Sequence, residues 1–329
     1  MGTKDNVLKR YLSDKKVIAD IFNMAFGADG LSVDPQKLKD LDSVQVMAAL
    51  PKADTKDAKK RLSFRERIHD GVATLETEFG GSSACLVLSV EGQTAVSHAM
   101  PLRMLQYEDQ SLTFIAERMA EGVKSKDTPG DWLSGWPEGA VLPNALSVTL
   151  YTGADDWTGP RGLREIQANI PEALARRMMD MPLNVLTFKD ICKYDTDILI
   201  SDIGVVAAYI VYEKDSDKLR ELIETKEKFR HLSRKGFDVI NTHRKLAITI
   251  PEDVEEIDMH YAEQVWKKEA EENERRRNIG IFIDGCRSFG IKPEAIATKL
   301  VELYKLSYDD AMSLIKSRPD ANVSHPALS

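Results

Sequence analysis

Residues Ala84-Cys85-Leu86-Val87-Leu88-Ser89-Val90, followed at once by Glu91-Gly92-Gln93, decide how the chain is read. So continuous an apolar run reads as a buried strand. Side chains alternate along a strand, so Glu91 and Gln93 project from the same side two residues apart. A strand that holds a carboxylate rigidly at the rim of a sheet can hold a divalent ion. Its polar neighbour can then orient a water or contact a phosphate oxygen. The alternative reading is a strand terminus entering solvent with two ordinary polar residues.

Outward from this strand, Gly80-Gly81 turns the chain back to a preceding strand over Val72 to Phe79. Further upstream, Leu8, Leu12, Ile18, Ile21, Phe22 and Phe26 form an apolar stripe that predicts a helix from about Asn6 to Phe26. Val44 and Val46 predict a short strand before Pro51. Downstream, residues from about Ala95 to Gly122 read as a helix ended by the loop at Thr128-Pro129-Gly130. Ala145 to Tyr151 then reads as a buried strand and Val185 to Phe188 as a further short one. Strands interleaved with helices predict an α/β fold with a mixed central sheet flanked by helices.

From about Asp202 the pattern turns helical. A charged run from Glu252 to Arg277 predicts one long exposed helix, without the sustained apolar heptads of a coiled coil. Amphipathic helices are expected over Ile279 to Phe289, Pro293 to Tyr304 and Tyr308 to Ile315. The expected division is a main domain over 1–250 and a charged helix with a small helical module over 251–329.

At 329 residues, 43% hydrophobic and 30% charged, the chain has the composition of a folded protein with a sizeable core. No apolar run approaches the ~20 residues of a membrane span and no signal-peptide core is evident, so a cytoplasmic protein is expected. Cys85, Cys192 and Cys286 lack metal-ligand spacing. A net charge of -8 argues against a protein that coats nucleic acid, although basic residues cluster twice. Lys56, Lys59, Lys60, Arg61, Arg65 and Arg67 form one group; Lys226, Lys228, Arg230, Arg234 and Lys235 form another. Each fits either a DNA groove or a solvated surface.

Three blocks of sequence carry a family resemblance. The first is Val90-Glu91-Gly92-Gln93 with His98-Ala99-Met100-Pro101-Leu102-Arg103 and Tyr107. The second is Trp132-Leu133-Ser134-Gly135, Leu150-Tyr151 and Gly153-Ala154-Asp155-Asp156-Trp157-Thr158-Gly159-Pro160. The third is Gly2-Thr3-Lys4-Asp5 through Ala19-Asp20-Ile21-Phe22-Asn23. Together they resemble the Rpn family of recombination-promoting nucleases and putative transposases, within the PD-(D/E)XK superfamily.

The resemblance implies a restriction-endonuclease-like core and a Mg²⁺-dependent DNA endonuclease, with Mn²⁺ as a substitute. It also implies double-stranded DNA as substrate and a role in recombination, mobile elements or defence. Glu91 then matches the strand carboxylate and Gln93 the family's Gln. The upstream acid departs from the usual Arg-Asp pair: the chain reads Phe64-Arg65-Glu66-Arg67-Ile68, so Glu66 is the expected second metal ligand. Asp70 is a register-shifted substitute, or only shapes the turn beside Gly71. Asp20 matches an acidic family position, as an additional ligand or as a cap. The helical module resembles an appendage of family members and is a candidate for self-association.

Other groups read more simply as structure. Asp155-Asp156 lie among turn residues, and His98 stands near a helix start. The chain carries no nucleophile elbow, Walker loop or dinucleotide fingerprint. The competing functional class is a degenerate nuclease relative that binds DNA or a protein through the same scaffold.

Overall fold

The computed structural model describes residues 3–40, 70–79, 82–121, 141–246, 248–251 and 253–318. The opening strand stands third in a five-stranded mixed sheet made of β1 (Lys39–Asp40), β2 (Gly71–Phe79), β3 (Ser82–Gln93), β4 (Asn144–Tyr151) and β5 (Val185–Thr187), in that order. β1 to β3 are antiparallel, with β2 and β3 in register from Gly71↔Val90 to Phe79↔Ser82. β3, β4 and β5 are parallel, and Glu91 faces Thr149 across the ladder. A parallel pair requires a crossover, and α3 (Met100–Glu121) lies in the one between β3 and β4.

Helices cover β3 from both sides. On one face, α1 (Thr3–Leu12) comes so close that a Cβ on Gly92 would lie 2.6 Å from a Leu8 methyl and 3.0 Å from a Leu12 methyl. Glycine is what permits this approach. On the other face, α3 sends Arg103 to Glu91 and Glu108 to Ser147, which pairs in register with Ser89. Burial on both faces explains the unbroken apolar run: Leu86, Val87, Leu88 and Val90 are all buried.

Three expected boundaries shift. The helix predicted over Asn6 to Phe26 is two helices, α1 and α2 (Lys15–Phe26). Asp14 has extended backbone and its carboxylate accepts from Lys16 N at 3.0 Å, which starts the second helix afresh. The strand marked by the apolar run to Val90 continues to Gln93, because pairing with β4 runs on to Gln93↔Tyr151. The helix expected from Ala95 begins at Met100, with Pro101 in its first turn where a missing N–H costs nothing. The strand at Val44 and Val46, the Gly80-Gly81 turn, the Thr128-Pro129-Gly130 loop and the first basic group lie outside the described residues.

The helical region after Asp202 opens with α4 (Ile203–Val211), in which every residue from Ile203 to Ile210 is buried. Then follow α5 (Ser216–Thr225) and α6 (Arg234–Arg244). Two buried aspartates tie this region to the N-terminal helices. Asp202 accepts from Tyr11 Oη at 2.7 Å and from Ser233 N at 2.7 Å. Burial, and then the Asp202 charge, push the Tyr11 phenol well above its ordinary pKa. Asp20 accepts from Ile200 N at 3.0 Å and from both Ser201 N and Ser201 Oγ at 2.6 Å.

The chain divides into two compact units, Met1–Met259 and His260–Ser329. The charged run and the first helix expected of the C-terminal module are one helix, α7 (Met259–Ser288), followed after Gly290 (φ 70°) by α8 (Pro293–Tyr304) and α9 (Tyr308–Ser317). Ile279, Ile283, Ile296, Ala297, Leu300, Ala311 and Ile315 form the second unit's own core. Among the described residues no helix is long and apolar enough to cross a membrane.

The division has a consequence for truncation. β7 (Glu256–Ile257) pairs with β6 (Leu232–Ser233), and Ile257 and Met259 are buried. A chain ending at Met259 should therefore unfold cooperatively, whereas one ending at Pro251 loses that strand and both apolar anchors. The shorter form should be less stable by about 2–5 kcal/mol in urea unfolding. Equal stability of the two truncated proteins would contradict the placement of these residues in the first core.

Candidate functional site

The site is built on the last residues of β3 and the first residue before β2. Antiparallel pairing of Gly71 with Val90 puts Asp70 across from the end of β3. Asp70 N donates to Val90 O at 3.2 Å, and Asp70 Oδ2 accepts from Gly92 N at 2.9 Å. Glu91, on the α3 side of the sheet, is only 7% exposed. Its Oε1 accepts from Arg103 Nη2 at 2.6 Å and from Gln93 Nε2 at 3.3 Å. Arg103 also donates through Nη1 to Gln93 Oε1 at 3.3 Å and through Nη2 to Tyr107 Oη at 3.2 Å. Thr149, in register with Glu91, has a buried hydroxyl with no hydrogen-bond partner among the described residues.

These groups open into a cleft of about 310 Å³ that Asp70, Glu91, Gln93 and Arg103 all line. Burial raises the Glu91 pKa from 4.5 to about 8, and the nearby Asp70 charge adds to it. Arg103 and Lys9 act in the opposite direction without prevailing. On the same face Glu108, which accepts from the Ser147 hydroxyl, is also pushed up by burial, an effect that this hydrogen bond opposes.

The structure brings Glu91 and Gln93 together on one face and adds Asp70 to them. Glu66 lies outside the described residues. Asp20 is not among the residues lining the cleft: both of its oxygens cap the turn at Ile200 and Ser201, so its acidity serves the fold. His98 is exposed and also absent from the lining. Asp156 pairs on the surface with Lys189. Every member of the second basic group is engaged: Lys226 with Asp195, Lys228 with the Ile200 carbonyl, Arg230 with Glu227, Arg234 with Asp238 and Lys235 with Asp14.

Arg103 and Tyr107 are the residues to which sequence reasoning gave no role. Their spacing of four on a helix following the strand is the signal, since it puts both on one helical face. Thr242 and His243 of α6 also line the cleft and carried no local signal.

Among the described residues no three His, Cys, Asp or Glu side chains converge as a metal site. Mg²⁺ does not need three. It binds through one or two carboxylates and keeps several waters, and Asp70, Glu91 and the Gln93 amide oxygen are hard-oxygen donors of that type. Glu91 Oε2 accepts no hydrogen bond among the described residues. The donor set fits such an ion.

The raised Glu91 pKa fixes a sign. Between about pH 4.5 and pH 8 the metal-free native state binds a proton that the unfolded chain releases, so stability falls as pH rises through that window. Glu91→Gln, neutral throughout, should lack this component. Without divalent ions, the variant should gain on the wild type by a few kcal/mol in urea unfolding between pH 5 and pH 8.5. Parallel pH profiles for the two proteins would show that Glu91 titrates normally.

Comparisons of the whole chain with protein-family models, with curated proteins and with solved structures found no match.

Proposed function

We propose that the protein is a divalent-metal-dependent DNA endonuclease of the restriction-endonuclease-like type, related to the Rpn nucleases. One observation carries the reading: Asp70 and the Glu91-x-Gln93 pair meet in a single cleft across the end of the β2–β3 hairpin. Supporting it is the order of elements around that hairpin. Among the described elements, an N-terminal helical pair, three antiparallel strands, a crossover helix and a parallel fourth strand occur in that order, which is compatible with such a core.

In this reading Asp70 and Glu91 hold the ion. Glu66, the acid expected from the family motif, remains the competing candidate. A bound Mg²⁺ would supply a water of lowered pKa and neutralise charge on the scissile phosphate. Gln93, fixed by its bonds to the Gly92 carbonyl at 2.8 Å and to Arg103, orients the water or a phosphate oxygen. Arg103 holds Glu91 in position and presents a planar fork of N–H donors at the same wall, the geometry suited to phosphate oxygens. Double-stranded DNA, and a role in recombination, mobile elements or defence, follow from the resemblance.

A second reading has a specific observation in its favour. Arg103 already sits on Glu91 at 2.6 Å, and Glu91 keeps its proton to about pH 8, so the scaffold can stand without an ion. A degenerate relative that binds DNA or a protein would look like this.

Nicking of supercoiled plasmid with Mg²⁺ or Mn²⁺ separates the two. Wild type should cut only with the ion, and Glu91→Gln should lower the rate by at least about a thousandfold, equivalent to about 4 kcal/mol. Asp70→Asn should do the same and Glu66→Gln should not; the reverse pattern returns the ligand role to Glu66. Gln93→Ala, which removes an orienting group rather than an ion ligand, should cost about ten- to a hundredfold. Plasmid cut equally by wild type and Glu91→Gln, with contaminating nuclease excluded, would end the enzymatic reading.

A further inference from the structure

Ser147 on β4 donates its hydroxyl to Glu108, and Thr152, just past the strand, donates to the Gln93 carbonyl at 3.3 Å. Thr149 lies between them and is 0% exposed, yet its Oγ1 has no hydrogen-bond partner among the described residues. A hydroxyl so placed forfeits the hydrogen bonds that water would give it, and valine would fill the same space without that loss. Packing alone therefore does not account for a threonine here.

Its neighbour across the ladder is Glu91. Paired residues of adjacent strands project to the same face, on backbones about 4.8 Å apart. That face is the one α3 covers: Ser147, two residues before Thr149, meets Glu108, and Glu91 meets Arg103. The Thr149 backbone is fixed there by its N–H, which donates to the Asn184 carbonyl at 2.8 Å. Glu91 has an opening of the complementary kind. Arg103 and Gln93 both donate to Oε1, and Oε2 accepts no hydrogen bond among the described residues. A buried donor without an acceptor and a carboxylate oxygen without a donor thus belong to neighbouring side chains on one face.

We propose that Thr149 is a positioning residue for Glu91: its hydroxyl donates to the Glu91 carboxylate when that group turns from Arg103 to a divalent ion. The inference rests on the reading of Glu91 as an ion ligand and not on cleavage of DNA. In the ion-free state Arg103 holds the carboxylate, which explains why the hydroxyl is left over. A carboxylate that holds an ion is steadied by a further hydrogen bond, and loss of such a partner weakens metal binding by about ten- to a hundredfold.

Mn²⁺ binding to the full chain, read from the electron paramagnetic resonance signal of the free ion, tests this without any cleavage. Wild type should bind, and Glu91→Gln should lose the same site. Thr149→Val should bind at least about tenfold more weakly than wild type, whereas Thr149→Ser, which keeps the hydroxyl, should bind as wild type does. Without ions the order differs: Thr149→Val replaces an orphaned hydroxyl by a methyl and should unfold at the same urea concentration as wild type or a higher one. Thr149→Ala, which also lacks the hydroxyl, serves for ion binding if the valine variant does not fold. Undiminished Mn²⁺ binding without the hydroxyl overturns the inference and leaves the ion site. Equal weakening by valine and serine assigns the effect to packing and overturns it too. So does an ion-free Thr149→Val protein less stable than wild type, because the hydroxyl would then already be satisfied. Mn²⁺ binding that depends on the Thr149 hydroxyl in a protein that cuts no plasmid keeps the inference and removes the nuclease reading. A wild type that binds no Mn²⁺ removes both the ion site and the role given to Thr149.

Discussion

A carboxylate placed inside a parallel ladder must be answered, and at Glu91 the answer comes from Arg103. An ionised group in that position faces a desolvation cost of several kcal/mol unless it is paired or protonated. The protein uses both remedies in part. The guanidinium approaches to 2.6 Å, and burial with Asp70 nearby still lifts the Glu91 pKa to about 8. Much else follows from this constraint. The helix after β3 has to run over the Glu91 face to deliver Arg103, and Tyr107 one turn on steadies it. The glycines on either side of the hairpin end, Gly71 and Gly92, let α1 close the opposite face. Helices on both faces leave the end of β3 as the place where the buried polar set meets a cleft.

The elements most legible in the sequence were those whose residue types alone mark them. β3 and β4 could be read from apolar runs whose downstream halves are buried on both faces, and α8 and α9 from apolar residues at helical spacing. Boundaries set by a single side chain were less so. The break between α1 and α2 depends on one aspartate bonding one backbone N–H, and the apolar stripe runs through it unchanged. Glu91 and Gln93 could be placed on one face from alternation alone. That Asp70 lies across from the end of β3 depends on hairpin register, which pairs residues twenty or so apart, so the sequence offered it only as an alternative to Glu66. Asp20 shows the converse case, a family-like acid whose two oxygens are spent on backbone N–H groups of a distant turn.

Charge distribution also separates what composition merges. A net charge of -8 coexists with a basic cluster around Lys226 to Lys235 whose members are each engaged by carboxylates or carbonyls of the same unit. Such a cluster is a binding stripe on paper and a set of structural ties in the fold. Among the residues that line the cleft, Arg103, isolated in sequence, is the guanidinium at the candidate site, and Lys9 stands near enough to act on Glu91. The electrostatics of the cleft depend on local geometry, with a half-buried guanidinium beside a buried carboxylate in a low-dielectric setting where one charge counts for more.

The central claim is that Asp70 and Glu91 form one divalent-ion site at the end of the β2–β3 hairpin. Anomalous diffraction from crystals soaked in Mn²⁺ tests it most directly. The account predicts a single strong peak within coordination distance, about 2.0–2.3 Å, of a carboxylate oxygen from each residue, with Arg103 displaced from the bonded Glu91 oxygen. A crystal that takes up Mn²⁺ elsewhere while Arg103 stays on Glu91 would contradict it.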